Sequence, residues 1–331
     1  MQIGNVTING KLALAPMAGV TDLAFRHICR EHGAALTVTE MVSAKALTYG
    51  DKKTPGLLAL AENEHPAAAQ IFGHEPETMA EGAKIARAMS GCDIIDINMG
   101  CPAPKIVNNG DGSALMRDPA LAARVIEAVS RAVDVPVTVK FRKGWDEAHV
   151  NAVEFARAMQ ESGAASLTVH GRTYQQLFTG RSDPQIIAAV KAAVRIPVYA
   201  SGDIDSPEAA QRIAAETGCD GLMVGRGALG DPWLFSRIRA GFEGRPGQEP
   251  TPAQRVRMAL THAKLLCEDK GERLGIRESR KHTGWYIKGL KSAARIRNEA
   301  NHVETYAELD ALLGSYLDTL QVKEDASYER Y

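Results

Sequence analysis

Cysteine is scarce in this chain. Five are present among 331 residues (Cys29, Cys92, Cys101, Cys219 and Cys267), odd in number, widely spaced and without a Cys-x-x-Cys pair. That pattern argues against a disulfide framework and against a zinc site, and it suits a reducing compartment. No apolar run is long enough to span a bilayer. The opening MQIGNVTING lacks the basic and apolar regions of a signal peptide. A cytoplasmic protein with no membrane partner and no metal is therefore expected. The formal net charge of −1 excludes no partner by itself. What is present is ordinary for a soluble globular protein, with 45% hydrophobic and 24% charged residues. The length suits a large α/β unit with a smaller appendage.

Short β-like runs recur along the first two thirds: LALAPM (12–17), LTVTEM (36–41), AAAQIFG (67–73), DIIDINM (93–99), PVTVKFR (136–142), SLTVHGR (166–172), PVYASGD (197–203) and GLMVGRG (221–227). Stretches of helical periodicity separate most of them. Several open on an N-cap or first-turn proline (Thr21–Asp22, Asp118–Pro119, Asp183–Pro184, Ser206–Pro207) and stop at Gly33, Gly163 or Gly218. This alternation predicts a parallel sheet, and eight units (counted from these runs) predict a (β/α)8 TIM barrel over residues 1–240. A doubly wound open sheet is the alternative. The glycine- and proline-rich segment 241–252 reads as a linker. Residues 253–331 carry no strand signal, and helices over 253–271, 277–298 and 303–321 predict a small all-helical domain.

Cys101 follows the apolar run ending at Met99 and lies in a turn made by Gly100 and Pro102. Most free cysteines are small buried hydrophobes, but here the neighbours are polar: Asn98, Lys105, Asn108, Asn109 and Asp111. Strand after strand ends in polar or small residues, including Gln70, Asn98, Lys140, Arg142, His170, Arg172, Ser201, Asp203 and Arg226. In a barrel such ends converge on one mouth. GRGALG (225–230) matches a dinucleotide fingerprint, but it falls in the last unit rather than the first. Together with Ser201, Gly202 and Asp203, Gly225 and Arg226 read instead as a barrel phosphate site. Lys140 as a Schiff-base lysine is the rival, weakened by the lack of a carboxylate close in sequence. FMN fits better, because its single phosphate suits the last loops and a cation such as Lys140 would stabilise the reduced ring.

Taken together, LAPMAGVTD (14–22), QIFG (70–73), DINMGCPAPKI (96–106), VTVKFRKGW (137–145), VHGRT (169–173), ASGDI (200–204), MVGRGALGDPW (223–233) and RESRKHTGWYIKGL (277–290) resemble the tRNA-dihydrouridine synthases, most of all their bacterial B-type branch. The resemblance implies an FMN-bound barrel that reduces the C5–C6 bond of selected uridines in tRNA, with NADPH as reductant. It implies that Pro16, Met17 and Ala18 make the first FMN contact and that Gln70, Lys140 and His170 hold the ring or ribityl chain. Ser201, Gly202, Asp203, Gly225 and Arg226 would lie at the phosphate end, Asn98 near the target base, and Cys101 would be the proton donor. Ser201 departs from the family's usual asparagine.

The chemistry agrees. Saturating an enone-like ring needs a hydride at C6 and a proton at C5, and a thiol of pKa about 8.5 is protonated at neutral pH. Between residues 251 and 300 there are twelve Lys and Arg against five Asp and Glu, while the rest of the chain carries −8. That concentration predicts a polyanionic partner, with Arg280, Lys281, Lys288 and Lys291 as candidate tRNA contacts. Two rivals remain: an FMN barrel acting on a small pyrimidine such as dihydroorotate, and a non-catalytic RNA-binding regulator.

Overall fold

The computed structural model describes residues 1–51 and 54–328. Two compact units are present, Met1–Arg226 and Gly227–Tyr331.

The first unit is the expected barrel. Its barrel strands are β1 (Leu12–Leu14), β2 (Leu36–Val38), β3 (Ala67–Phe72), β4 (Ile94–Met99), β5 (Val137–Gly144), β6 (Ser166–Thr173), β7 (Val198–Ser201) and β8 (Gly221–Val224), with a two-residue strand, Val42–Ser43, paired along the end of β3. All pair in parallel with their neighbours. The sheet closes because β8 pairs with β1 (Val224 opposite Leu14), while β2 pairs with both β1 and β3. Each of the eight expected β-runs overlaps one of these strands, β5 and β6 running one or two residues further. The expected N-caps also form: Asp22, Asp118, Asp183 and Ser206 each accept a backbone N–H of the first helical turn. Gly218 ends its helix in the left-handed region at φ 61°.

The N-terminal hairpin, Gln2–Ile3 with Val6–Thr7, has no counterpart in the expectation, since two-residue strands leave no periodicity to read. Ile3 and Ile8 pack with Ala13, Leu36, Ile94 and Tyr199. These residues lie at the starts of strands, so the hairpin seals the barrel at the end opposite the polar mouth.

In the second unit the helices are α1 (Leu234–Phe242), α2 (Pro252–Lys270), α3 (Glu272–Tyr286), α4 (Ala293–Ala300) and α5 (Tyr306–Tyr328). The segment 227–240, expected with the barrel, falls in this unit. Gly230 lies so close to the α3 backbone that a Cβ would stand 2.4 Å from the Trp285 carbonyl carbon, and Trp233 meets the Tyr286 ring edge-on at 6.5 Å. The single helix expected over 277–298 is two, α3 and α4. Gly289 and Ser292 take left-handed conformations at φ 83° and 59° between them, which ends one helix and re-aims the next. Val256, Ala259, Ile276, Tyr286, Ile296 and Leu313 form its core. Among the described residues no helix is long and apolar enough to cross a membrane.

Candidate active site

Alternate residues of a strand share one face, and here one face is polar. Asp96 and Asn98 on β4, Thr138, Lys140 and Arg142 on β5, and Thr168, His170 and Arg172 on β6 follow that spacing. Register sets Asn98 opposite Lys140, Arg142 opposite His170, and His170 opposite Ser201. A continuous hydrogen-bond chain results. The Asn98 amide donates to Gln70 Oε1 (2.9 Å), Gln70 Nε2 donates to Asp96 (2.6 Å), and Thr138 donates to the other Asp96 oxygen (2.5 Å). Burial raises the Asp96 carboxyl, against the pull of Gln70, Thr138 and Lys140. The sequence neighbourhood of Lys140 holds no carboxylate, yet the fold supplies Asp96 beside it. Both Asp96 oxygens are engaged, so its role is to fix Gln70. Burial and then Arg142 lower the Lys140 ammonium to about 8.

Cys101 sits half-buried just beyond β4. Asn98 Oδ1 accepts the N–H groups of Gly100 (3.1 Å) and Cys101 (2.8 Å). The Cys101 carbonyl accepts the Ser113 hydroxyl (2.9 Å) and N–H (3.1 Å). Gly112 makes that return possible, since at φ 60° a Cβ there would stand 2.8 Å from the Cys101 oxygen. Burial pushes the thiol up, while the Ala103 N–H, Arg142 and Lys140 draw it down. The Asn98 side chain thus acts first on the loop that carries the thiol.

The predicted phosphate-end residues gather at the mouth. Gly225 lies over the β1 end, where its missing Cβ would stand 3.5 Å from Ala15 Cβ and 3.8 Å from Met17 Sδ. Pro16, Met17 and Ala18 follow β1 in a turn closed by the Met17 N–H on Thr21 Oγ1 (2.9 Å). The buried Ser201 accepts the Ser182 hydroxyl on its carbonyl (3.4 Å). Gly202 takes φ 117°, and a Cβ there would strike Ser182. The Asp203 carboxylate receives Arg172 Nη2 on both oxygens (2.7 and 2.8 Å) and the Ser182 N–H (2.8 Å), with Arg226 3.9 Å away. Asp203 therefore acts on Arg172 and the 182 turn. Its negative charge suits that task better than direct contact with an anion.

His170 accepts the Arg172 N–H on Nδ1 (3.3 Å), which leaves the proton on Nε2. Burial first, then Lys140, Arg142, Arg172 and Arg226, hold it well below the ordinary histidine range, so it stays neutral. Arg172 keeps one buried nitrogen, Nη1, without a hydrogen-bond partner. Neutral donors, an ammonium, guanidinium groups and glycines at the loop ends form a donor set that fits an anionic, ring-bearing cofactor such as a flavin phosphate. Among the described residues no group of His, Cys, Asp and Glu is placed to hold a metal.

Reading strand ends alone misses Asp96 and Thr138, which lie deeper on the same face, and leaves Arg142 and Arg172 without a role. The period-two patterns D-x-N, T-x-K-x-R and T-x-H-x-R were the available signal. In the helical unit, Lys288 and Lys291 are exposed and Lys281 is half-buried. Arg280 is half-buried and donates to the Val303 carbonyl (2.8 Å), a contact that ties α3 to the turn before α5. Tyr286 is a core residue, its hydroxyl 3.2 Å from His262 Nδ1.

A half-exposed thiol beside buried cations at the mouth of a parallel barrel defines a cofactor-dependent barrel enzyme. The dihydrouridine synthase profile matches residues 13–322, and the chain belongs to that family. It is 45% identical to tRNA-dihydrouridine synthase B of Xanthomonas campestris over 97% of this chain and 96% of that one. With tRNA-dihydrouridine synthase B of Shewanella oneidensis it shares 43% identity over 97% and 99%. With a probable tRNA-dihydrouridine synthase 1 of Synechocystis it shares 42% over 97% and 90%. Among solved structures, an old yellow enzyme homologue from Zymomonas mobilis superposes with a TM-score of 0.53 at 14% identity, covering 77% of this chain and 94% of that one. Histamine dehydrogenase from a Rhizobium species gives 0.57 at 16%, covering 80% and 50%. At such identities the likeness is one of fold.

Proposed function

We propose that this enzyme reduces the C5–C6 double bond of uridines in tRNA to 5,6-dihydrouridine, with FMN as its resident cofactor, NADPH as reductant and Cys101 as proton donor. The observation that carries the reading is the Cys101 thiol, held by Asn98 and Ser113 at the edge of a mouth lined by Lys140, Arg142 and His170. When bound, FMN supplies the hydride that reaches C6 of the pyrimidine. Gln70, Lys140 and neutral His170 hold the ring and ribityl chain. Ser201, Gly202, Gly225 and Arg226 would take the phosphate end, Asp203 orders Arg172, and Pro16, Met17 and Ala18 would make a further contact to the cofactor. Burial keeps the thiol protonated at neutral pH, as an acid requires. Its proton goes to C5, and Lys140 and Arg142 stabilise the thiolate left behind until solvent restores the proton. A cationic helical surface including Lys281, Lys288 and Lys291 docks the RNA.

The purified enzyme should release FMN on denaturation. Cys101→Ala should retain FMN and be reduced by NADPH as the parent is, yet be reoxidised by tRNA about 10²–10⁴-fold more slowly, the usual contribution of a positioned acid. Stopped-flow measurement of the two half-reactions tests this. Reoxidation at the parent rate would remove Cys101 from the chemistry.

A further inference from the structure

Arg142 is assigned no part in the reading above beyond its charge, yet it is 3% exposed and its Nε and Nη1 groups are both engaged. Its Nε donates to the Gly100 carbonyl at 2.8 Å. Its Nη1 donates to the carbonyls of Thr173 (2.9 Å) and Leu177 (2.8 Å). Its guanidinium carbon lies 5.6 Å from the centre of the exposed Phe178 ring. One planar fork thus holds three carbonyls from two segments, the turn before Cys101 and the end of β6 with the loop that follows it. Leu177 adopts φ 50° there, a conformation that a branched side chain takes only when surrounding contacts fix it.

The Gly100–Cys101 peptide is gripped from three sides: its N–H groups by Asn98, the Cys101 carbonyl by Ser113, and the Gly100 carbonyl by Arg142. Asn98, at the end of β4, and Ser113 belong to the same stretch of chain as the thiol. Of the three, Arg142 alone is rooted in another strand.

We infer that Arg142 is the positioning residue for Cys101, pinning the Gly100–Cys101 turn to β5 and to the loop after β6 and thereby setting where the thiol stands in the mouth. This rests on the reading of Cys101 as the acid. Lysine cannot replace Arg142, because an ammonium keeps the charge but lacks the fixed fork that spans the three carbonyls. The charged groups facing the thiol are Lys140 and Arg142 from β5, with the Ala103 N–H from its own loop. Burial first, then Arg172 from β6 and Arg226 beyond β8, lower Arg142 to about 10, against the pull of Cys101. It stays cationic through the neutral range.

The test uses the FMN-loaded enzyme and three variants, Arg142→Lys, Arg142→Met and Cys101→Ala. Reoxidation by tRNA and reduction by NADPH are measured separately. The pH profile of iodoacetamide labelling at Cys101 is taken with Cys101→Ala as background. In Arg142→Lys, reoxidation should slow by about 10²-fold, the scale of an ångström-sized misplacement, while reduction and the labelling profile stay at parent values. In Arg142→Met the labelling break should also move to higher pH, since a cation beside the thiolate is gone. Should the methionine variant fail to fold, the lysine variant decides the matter alone. Parent-rate reoxidation in Arg142→Lys overturns the inference. Loss of FMN or of NADPH reduction there also overturns it, by giving Arg142 to the cofactor. Parent-rate reoxidation in Cys101→Ala instead removes the acid reading itself, whatever Arg142 does.

Discussion

Lys140 stands opposite Asn98 across the β4–β5 ladder and two residues before Arg142. Burial, then Arg142, lowers it to about 8, with Asp96 pulling the other way, against about 10.4 for lysine in an unfolded chain. Below about pH 8 both states hold the proton, and the fold bears the whole penalty of a buried ammonium. Between about 8 and 10.4 the folded protein has released that proton while the unfolded chain still binds it, so the penalty fades. Denaturant unfolding of FMN-free protein should therefore show the parent gaining stability relative to Lys140→Met as pH rises through that window. A difference that falls instead would mean that Asp96 outweighs burial.

Helices α2 and α3 bring two imidazoles together, His262 and His282, with ring centres 4.1 Å apart and Tyr286 edge-on to the first at 5.9 Å. Both histidines are buried. Burial, then His262, Lys281 and Lys270, hold His282 well below the ordinary histidine range. A histidine lowered in the fold contributes stability above its unfolded pKa of about 6.5 and loses it as pH falls through that value toward the folded one. Acidification from about pH 7 to 5 should accordingly destabilise the α2–α3 pair. His282→Gln should flatten that dependence in equilibrium unfolding followed by helical circular dichroism, and an equally steep loss in the variant would place the acid sensitivity elsewhere.

Over the whole molecule, the charge excess of residues 251–300 separates once the helices fold. Arg255 turns onto the Tyr286 and Lys288 carbonyls, Arg280 onto Val303, Lys270 pairs with Glu278, and Arg295 with Glu299. Arg257, Lys264, Arg273, Arg277, Lys288, Lys291 and Arg297 remain exposed. Reversing Lys288 and Lys291 together should weaken tRNA binding and reduce its salt slope by about one per lost phosphate contact. FMN content and reduction by NADPH should be unchanged. Arg280→Glu should instead lower stability, because it leaves a carboxylate facing a carbonyl. Salt-titrated tRNA binding with parallel thermal melts separates the two, and unaltered affinity in the Lys288/Lys291 double variant would discard this face as the docking surface.

The alternation of strand and helix, the caps at Asp22, Asp118, Asp183 and Ser206, the placement of Cys101 after a strand and the run of motifs that mark the family were all legible in the chain itself. Each is written in local spacing: period two, period 3.6, or a cap beside its proline. What local spacing cannot express is which residues meet across strands. That Asp96 stands by Lys140, that Asp203 serves Arg172, that Arg142 holds the turn before Cys101 and that Arg280 is turned inward follow from register and from barrel closure. Those were settled by the tertiary structure, because a parallel barrel joins strand ends that lie tens of residues apart and burial then decides which of their charges must find partners.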